Sequence, residues 1–491
     1  MKKYIYVGGG FDPQTLIYLA PIIKGYTKNK KYNILIEKKD FYNFIKNLKK
    51  KNLKLQEYYN LQNIILFNTS EIRFKYIISV LLKIIKNIFF FYKLIFFFSY
   101  LDKKNLNSIF YHSFLDSCFQ SLKEKNLKPN LYLRVKNLFK LLLVEASTTD
   151  IIKTYKINTV FLAHSVYHHR IKLEIFRKKK IKIFIHANQC IFRQPQNKDI
   201  EWSFISKKLF SKISKKFKKE TINKFWKKRL SGDLDDPDYL KASKIKQNNK
   251  YITPNNVVFL HVFKDSPFAS IDKKRIFFNY YHWIIETLKI LKNSPEKWSI
   301  RIHPNAGVWG ENSIAILDEI KKKYYNGKLP SNIVIDNKLT SNLNVFEKFS
   351  RCVTFNGTAG LEASCYGVKP IIIANNTLSE LNKNYVIKPK TIHEYKKFLL
   401  KNSNDHYFKQ DKKAIEESKI LLFSVYNILT FRKDLNINPV FRKTALRIIN
   451  QQFINSIKSV RLNFDKLFYC GNLLKNKKNR TLSFKYLDLL E

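Results

Sequence analysis

The second half of the chain repeats one pattern, in which a short continuous apolar run ends in polar residues and a stretch with helical spacing follows. The runs are NNVVFLHVF (255–263), WSIRIHP (298–304), NIVID (332–336), CVTFN (352–356) and KPIIIAN (369–375). Continuous apolar runs are typical of strands that are buried on both faces of a parallel sheet. Because helical stretches separate the runs, the pattern predicts β-α-β units and a doubly wound α/β domain.

The first half shows a similar alternation. Its predicted strands are KYIYVGGG (3–10), YNILIEK (32–38), NIILFN (63–68), NTVFLAHS (158–165) and KIKIFIHAN (180–188). A chain of 491 residues is too long for one ordinary core. We therefore predict a Rossmann-like N-terminal domain over 1–250 that ends in a polar linker at 231–250. A second Rossmann-like domain is predicted over 251–430, and a helical and polar extension over 431–491.

The chain carries a formal net charge of +53. It is rich in Lys, Ile, Asn, Phe, Leu and Tyr, as expected from an AT-rich genome, and this bias accounts for part of the charge. The remainder favours an anionic partner, such as a phosphate, an acidic glycan or anionic lipid. Because there is no zinc-ligand spacing, helix-turn-helix cue or aromatic RNA-binding signature, nucleic acid is not an expected partner.

The five cysteines are scattered and include no CxxC pair. This usage disfavours a disulfide framework and favours a reducing cytoplasm. The apolar run before the N-terminal glycines is too short for a signal peptide and is expected to be the first strand.

A long apolar stretch at 76–100 needs a decision about membranes. Lys83, Lys86 and Lys93 interrupt it, and a charge near the centre of a spanning helix costs about 2.5–3.5 kcal/mol. We therefore expect an in-plane amphipathic helix at the inner face of the cytoplasmic membrane, or a buried core helix, rather than a bilayer span.

A second stretch, at 204–230, combines many lysines with apolar residues. Phe210, Ile213 and Phe217 recur at helical spacing, which predicts a basic amphipathic helix. Such a helix either lies on an anionic membrane surface or covers a protein core with its polar face in solvent.

The strongest chemical signal is TFNGTAGLEASCYGVKPIII at 354–373. A strand is predicted to end at Phe355, a tight turn to include Gly357 and Thr358, and a helix to follow. The N–H groups at a helix start and a hydroxyl form an anion site at the carboxyl end of a strand. Glu362, one helical turn beyond Thr358, is expected to face the same cleft and accept hydrogen bonds from ribose hydroxyls. The alternative is a plain capped helix with a solvated Glu362.

Two segments upstream supply further candidate ligands. A strand delivers Arg301 and His303 to one face and stops at Pro304, so an imidazole and a guanidinium are available for a phosphate or a base. The loop that opens the second domain carries His261, Lys264 and Asp265 and is expected to face the cleft. The alternative for that loop is an ordinary polar surface.

These segments together resemble bacterial capsule and surface-polysaccharide synthesis proteins. The order HVFKDSPF, a helix with Trp283, RIHPN and NGTAGLEASCYGVKPII is similar to the Kdo transferases of capsule assembly. It is more loosely similar to teichoic-acid polyol-phosphate transferases and to sialyltransferases with a His-Pro motif. The resemblance covers 255–376 and implies a GT-B fold, with two Rossmann-like domains facing a cleft and a helical C-terminal segment. It also implies a nucleotide-activated donor, often a CMP-sugar such as CMP-Kdo.

Site residues follow from the same resemblance. His303 and Pro304 match the His-Pro motif, and Thr358, Gly360 and Glu362 match a motif that runs from a hydroxyl to Gly-Glu-Ala. Thr358 stands where many relatives have Ser, so the hydroxyl is kept. The Asp-Tyr-Ser-Ser sequence of the polyol-phosphate transferases is absent, which disfavours that alternative.

The first half offers candidates for a catalytic base. Asp12 follows a run of three glycines, which is not a GxGxxG because Pro13 takes the third glycine position. His164 opens a cluster of imidazoles directly after a strand. We favour His164 or Asp12 as the base, with Glu145 as a rival. A metal site would need further ligands near the imidazoles, so neither a metal nor a cofactor is expected beyond the nucleotide-sugar co-substrate.

The expected activity is inverting, metal-independent transfer of a sugar to a capsule, surface-polysaccharide or glycolipid acceptor. His303 and the Thr358 turn would stabilise the leaving phosphate, and the base would deprotonate the acceptor hydroxyl. The alternatives are a CDP-polyol phosphotransferase and a catalytically silent scaffold of polysaccharide assembly.

Overall fold

The computed structural model describes most of both halves of the chain. The described residues are 4–8, 32–37, 61–67, 74–97, 108–121, 129–162, 165–185, 192–194, 205–231, 256–263, 276–277, 280–303, 306, 313–336, 349–374, 376–402 and 404–428. The predicted extension at 431–491 and all but the first residue of the predicted linker lie outside them.

The first half forms a mixed sheet with the strand order β3-β2-β1-β4-β5-β6. Its strands are β1 (Tyr4–Gly8), β2 (Tyr32–Glu37), β3 (Leu61–Phe67), β4 (Ile157–Leu162), β5 (Lys182–Ile185) and β6 (Phe192–Arg193). The pairs among β1 to β5 are parallel, and β6 pairs antiparallel with β5. Each predicted strand is confirmed. The sequence analysis missed β6, because two residues are too few to show a pattern.

The second half forms a parallel sheet with the order β11-β10-β7-β8-β9. Its strands are β7 (Asn256–Phe259), β8 (Trp298–Arg301), β9 (Ile333–Asp336), β10 (Arg351–Thr354) and β11 (Ile371–Ile372). In both sheets the first strand of the unit lies inside, the next two strands lie on one side of it and the following two on the other. This is the doubly wound order of Rossmann folds. The predicted pair of Rossmann-like units, the GT-B arrangement, is therefore confirmed.

Helices connect the strands and cover the sheets. In the first half they are α1 (Phe74–Lys86), α2 (Ile88–Phe96), α3 (Ile109–Gln120), α4 (Leu131–Thr154), α5 (His169–Lys178), α6 (Lys207–Lys216) and α7 (Lys219–Ser231). In the second half they are α8 (Tyr280–Leu291), α9 (Ser313–Tyr324), α10 (Thr358–Cys365), α11 (Thr377–Leu381), α12 (Ile392–Leu400) and α13 (Lys412–Phe423), and a π-helical turn (Ser424–Ile428) continues α13.

The apolar stretch at 76–100 forms two helices, α1 and α2, that are separated at Asn87. Tyr76, Val80, Phe91 and Leu94 are buried in a helical layer with α3 and α4. Among the residues that the structure describes, no helix combines the length and the apolar character that crossing a bilayer requires.

The basic stretch at 204–230 forms α6 and α7 rather than one helix. Phe217 adopts an extended conformation between them, with a φ of −106° and a ψ of 133°. Phe210, Ile213 and Trp226 are buried in a core that includes residues of the first sheet, α10 and α13. The apolar residues of this stretch are therefore covered by protein, which favours the interpretation as cover helices.

Candidate functional site

The carboxyl edge of the second sheet gathers four of the predicted site residues, namely His261, Arg301, His303 and Thr358. Thr354, Phe259 and Arg301 are paired in register across β10, β7 and β8, so the three strands end at one level. With strands about 4.8 Å apart, the ends of β10 and β8 are about 10 Å apart. His261 follows β7, His303 follows β8, and Thr358 begins the helix after β10. Because β7 is the first strand of this unit, the gap between β7 and β10 is the switch point at which doubly wound sheets bind ligands.

The two imidazoles lie side by side at this edge. The ring centroids of His261 and His303 are 6.0 Å apart, with 28° between the ring planes. The Nδ1 of His261 accepts a hydrogen bond of 2.9 Å from the backbone N–H of Val262, which assigns the ring proton to Nε2. Burial lowers the pKa of His261 to about 4. His261 is therefore a neutral imidazole at physiological pH, with its Nε2–H as a hydrogen-bond donor.

Tyr280 fixes the backbone that carries His261. The hydroxyl of Tyr280, at the start of α8, donates to the carbonyl oxygen of His261 over 3.0 Å. The His261 N–H also contacts that hydroxyl. The segment after β7 is thus held to α8 before any ligand arrives, which limits the rearrangement that binding would require.

The start of α10 supplies backbone donors to the same edge. Gly357 is its N-cap residue and provides no side-chain cap, while the Gly357 N–H donates to Thr354 Oγ1 over 3.2 Å. A Cβ atom at Gly360 would lie 3.0 Å from Ile372 Cδ1 and 3.2 Å from Thr354 Cγ2. Gly360 therefore lets the first turn of α10 lie close against β10 and β11, which brings its N–H groups to the sheet edge.

Glu362 is neither solvated nor open to a ribose in the way that we predicted. Its Oε1 accepts a hydrogen bond of 3.0 Å from Arg229 Nε and is also bound by Arg229 Nη2. The side chains of Arg229 and Glu362 are only 3% and 6% exposed. A ribose hydroxyl would have to compete with this buried ion pair. Arg229 was missed because it lies 133 positions from Glu362 and no local pattern marks it.

Tyr426 joins this ion pair to the start of α10. Its ring centroid lies 4.0 Å from the guanidinium carbon of Arg229, and its hydroxyl donates to Thr358 Oγ1 over 3.0 Å. Tyr426 belongs to the π-helical turn after α13, and such turns are frequent at functional sites. The hydroxyl of Thr358 is thus oriented by a residue that the sequence motif does not include.

Arg301 is held by the neighbouring strand. Its Nη1 lies 3.0 Å from Asp336 Oδ2, and the two side chains are 6% and 0% exposed. Burial lowers the pKa of Arg301, while the charge of Asp336 and its hydrogen bond oppose that shift. The guanidinium of Arg301 is therefore already paired with Asp336 at the end of β9. A phosphate that binds Arg301 would have to compete with this carboxylate. The sequence analysis did not single out Asp336.

Several predicted site residues are not described by the structure. Asp12, His164, Lys264, Asp265 and Pro304 lie outside the described residues, and their roles stay predictions.

The imidazole cluster that begins at His164 in the sequence is buried in its described part, and the ring centroids of His168 and His169 are 3.9 Å apart.

The rival base Glu145 forms an ion pair with Lys83 of α1. His112 and Asp116 are buried one turn apart on α3, and the sequence analysis missed both because no motif surrounds them. Among the residues that the structure describes, no three His, Cys, Asp or Glu side chains are grouped as metal ligands would be. Because His164 and Asp12 lie outside those residues, the predicted metal independence stays a prediction.

Two doubly wound sheets, with the candidate ligand edge on the second, define a GT-B-like α/β protein. No protein-family model matches the chain, and no curated protein matches its sequence. Among solved structures the chain is similar to a glycosyltransferase from Rickettsia africae, with 11% identity over 93% of this chain and 99% of that chain, at a TM-score of 0.30.

The chain is also similar to two further solved structures. One is KpsC, a β-Kdo 2,4 transferase from Thermosulfurimonas dismutans, with 11% identity over 56% of this chain and 85% of that chain, at a TM-score of 0.34. The other is a UDP-GlcNAc 2-epimerase from Neisseria meningitidis bound to UDP-GlcNAc, with 9% identity over 86% of this chain and 99% of that chain, at a TM-score of 0.23. At such low scores the fold class follows from the strand orders, not from these similarities.

Proposed function

We propose that this chain is a glycosyltransferase that binds a nucleotide-activated sugar at the carboxyl edge of its second sheet. The observation that carries the proposal is the pair His261 and His303, with ring centroids 6.0 Å apart, at the same sheet edge at which α10 begins. The resemblance of 255–376 to the Kdo transferases favours a CMP-sugar such as CMP-Kdo as the donor. The acceptor is a capsule or surface-polysaccharide chain, or a glycolipid.

The chemistry of this edge suits a phosphate. The Nε2–H of His261, the N–H groups at the start of α10 and the hydroxyl of Thr358 are all hydrogen-bond donors. Arg229 balances the negative charge of the nearby Glu362 through a buried ion pair. An anionic ligand therefore meets donors without an unbalanced carboxylate, and the same donors stabilise the charge that builds on a leaving phosphate.

The proposed reaction is a single inverting displacement. A base from the first unit, with His164 and Asp12 as candidates, takes the proton of an acceptor hydroxyl. The acceptor oxygen forms a bond to the anomeric carbon as the bond from that carbon to the phosphate oxygen breaks. The negative charge passes to the nucleotide phosphate, which His303 and the Thr358 turn support without a metal.

We also propose that the protein works at the inner face of the cytoplasmic membrane. A lipid-linked acceptor of the proposed class is held at that surface, and the net charge of +53 draws the protein to anionic lipid.

Nucleotide binding and turnover test the donor site. A ligand that binds only the folded state stabilises it by about 2.7 kcal/mol at a hundredfold excess over Kd. Because the proposed donor is a CMP-sugar, we expect CMP to raise the melting temperature more than UDP, GDP or CDP do. We also expect the purified protein to release CMP from a CMP-sugar, and His303→Ala to lower that release about a hundredfold or more.

His406→Ala is the matched control, because the side chain of His406 is 96% exposed. His406 lies on the 3-10 turn His406–Phe408 that precedes α13. It should keep wild-type turnover. The proposal is wrong if no nucleotide changes the melting temperature, if His303→Ala turns over normally, or if only a CDP-alcohol releases CMP.

A further inference from the structure

The first unit exposes an apolar surface on α1 and α2. We call it the outer surface, and its main residues are Ile78, Leu81, Leu82, Ile85, Phe89 and Tyr92. Their exposed fractions range from 43% for Ile78 to 86% for Phe89. Apolar patches of this kind on a protein surface mark a site where another molecule binds.

The outer surface is additional to the apolar face that packs against the protein. Tyr76 and Val80 on α1, and Phe91 and Leu94 on α2, are buried against α3 and α4. Ile78, Leu82 and Ile85 are spaced by three or four residues, so they share the opposite side of α1. Among the residues that the structure describes, this second apolar side of α1 stays exposed.

Two of the four lysines in 74–97 form ion pairs with acidic residues of α4. Lys83 forms an ion pair with Glu145 of α4, and Lys75 Nζ lies 2.7 Å from Asp150 Oδ2 of the same helix. Both lysines therefore reach toward α4. Their charges are balanced by Asp150 and Glu145, so these two lysines add little to the free-energy cost of contact between the outer surface and lipid.

The start of α4 extends the outer surface. Leu131, Tyr132 and Val135 are 47%, 67% and 45% exposed, and Arg134 donates to the carbonyl oxygen of Ile95 near the end of α2. Exposed Lys86 and Lys93 stand beside the apolar side chains. No acidic residue occurs anywhere in 74–97, so the surface combines apolar side chains with positive charge alone.

We propose that the outer surface lies in the plane of a bilayer with anionic headgroups, its apolar side chains inserted among the lipids. At 1.5 Å per residue, the 13 residues of α1 span about 20 Å and the 9 of α2 about 14 Å. Both lengths are well below the ~30 Å of a hydrocarbon core. Apolar insertion flanked by lysines is the pattern of an interfacial helix.

Charge favours a lipid surface over a second copy of the chain. Two copies with net charges of +53 would bring lysines toward lysines, whereas anionic headgroups attract them. This inference names the surface that serves the proposed membrane location. It does not depend on the donor site, so each can fail without the other.

The test is flotation of the full chain with vesicles of phosphatidylglycerol and phosphatidylcholine. We expect Ile85→Glu/Phe89→Glu to lower vesicle binding about tenfold or more, because it places two charges where lipid contact is proposed. The matched control is Ile314→Glu/Ile392→Glu, which makes the same charge change at apolar residues of the second unit that are 42% and 40% exposed. The control changes the net charge by the same amount but leaves the outer surface intact, so it should bind within about twofold of wild type.

Two more measurements separate docking from misfolding and self-association. The uncharged variant Ile85→Ser/Phe89→Ser should also lose binding, with an unchanged melting temperature because both side chains are exposed. Sedimentation should show the same oligomeric state for wild type and variants. The inference is wrong if wild type does not bind anionic vesicles, if both Glu pairs lose binding equally, or if wild type is a dimer that the Ile85 and Phe89 variants dissociate.

Discussion

At the scale of single residues, the neutral state of His261 makes stability depend on pH. Its pKa falls from 6.5 to about 4 on folding, so between these values the unfolded chain binds a proton that the folded chain does not. Stability is therefore full above pH 6.5 and is lost as pH falls toward 4, by up to about 3 kcal/mol.

We expect His261→Gln, which stays neutral, to lose this dependence. The measurement is the melting temperature of wild type and variant from pH 7 to pH 4, where the gap between the two curves should change. His406→Gln, at a side chain that is 96% exposed, should follow the wild-type curve. Parallel curves for His261→Gln and wild type would show that His261 is not held neutral.

The ion pair between Arg229 and Glu362 supports a second residue-scale prediction. Arg229→Met leaves a buried carboxylate without its guanidinium, and breaking a buried pair on one side costs about 3–5 kcal/mol. Removing both charges in Arg229→Met/Glu362→Gln should recover most of that loss. Urea unfolding of the single and double variants measures the coupling, and additive losses would show that the two side chains do not act as a pair.

At the scale of elements, Arg351 ties strands to a helix at the amino edge of the second sheet. Its side chain is fully buried, its Nε donates to Asn256 Oδ1 over 2.8 Å, and its Nη1 donates to the carbonyl oxygen of Leu399 over 3.0 Å. The guanidinium carbon also lies 4.5 Å from the ring centroid of Trp298. These contacts join β7, β10 and α12 at the end of the sheet that is remote from the candidate site.

We expect Arg351→Met to destabilise the fold by about 3–5 kcal/mol, because it removes several buried hydrogen bonds and the guanidinium that pairs with Glu296, which keeps its hydrogen bond from Asn256. Where the variant is still folded, its affinity for CMP should equal that of wild type, in contrast to His303→Ala. Urea unfolding and CMP titration at low temperature measure the two effects. A stability close to wild type, or weakened CMP binding by folded protein, would contradict this division of roles.

At the scale of the whole molecule, α6 and α7 join the two units. They precede the second unit in the chain but pack against α13, the last α-helix among the described residues, with the ring centroids of Phe225 and Phe423 5.4 Å apart. The ion pair between Arg229 and Glu362 adds a polar contact to the same junction. The start of α10, where the donor phosphate is proposed to bind, is therefore connected to both halves of the chain. The boundary predicted at 250 stays a prediction.

The sequence by itself determined the strands and their common edge. A continuous apolar run needs only a buried environment on both faces, and parallel β-α-β units bring strand ends to one side whatever the distant contacts are. The run at 352–356 is one example, since it becomes β10 and carries the turn at Gly357 to that edge.

Only the tertiary structure decided the partners of the charged residues and the use of the amphipathic stretches. Glu362 meets Arg229 from 133 positions away, and Arg301 meets Asp336 across a strand pair. The apolar run at 76–100 predicted an in-plane amphipathic or buried helix, and the spacing at 204–230 predicted a basic amphipathic helix, yet the first keeps an exposed apolar side and the second is covered. The physical reason is that periodicity shows which side chains share a face, whereas burial depends on what the rest of the chain packs against that face.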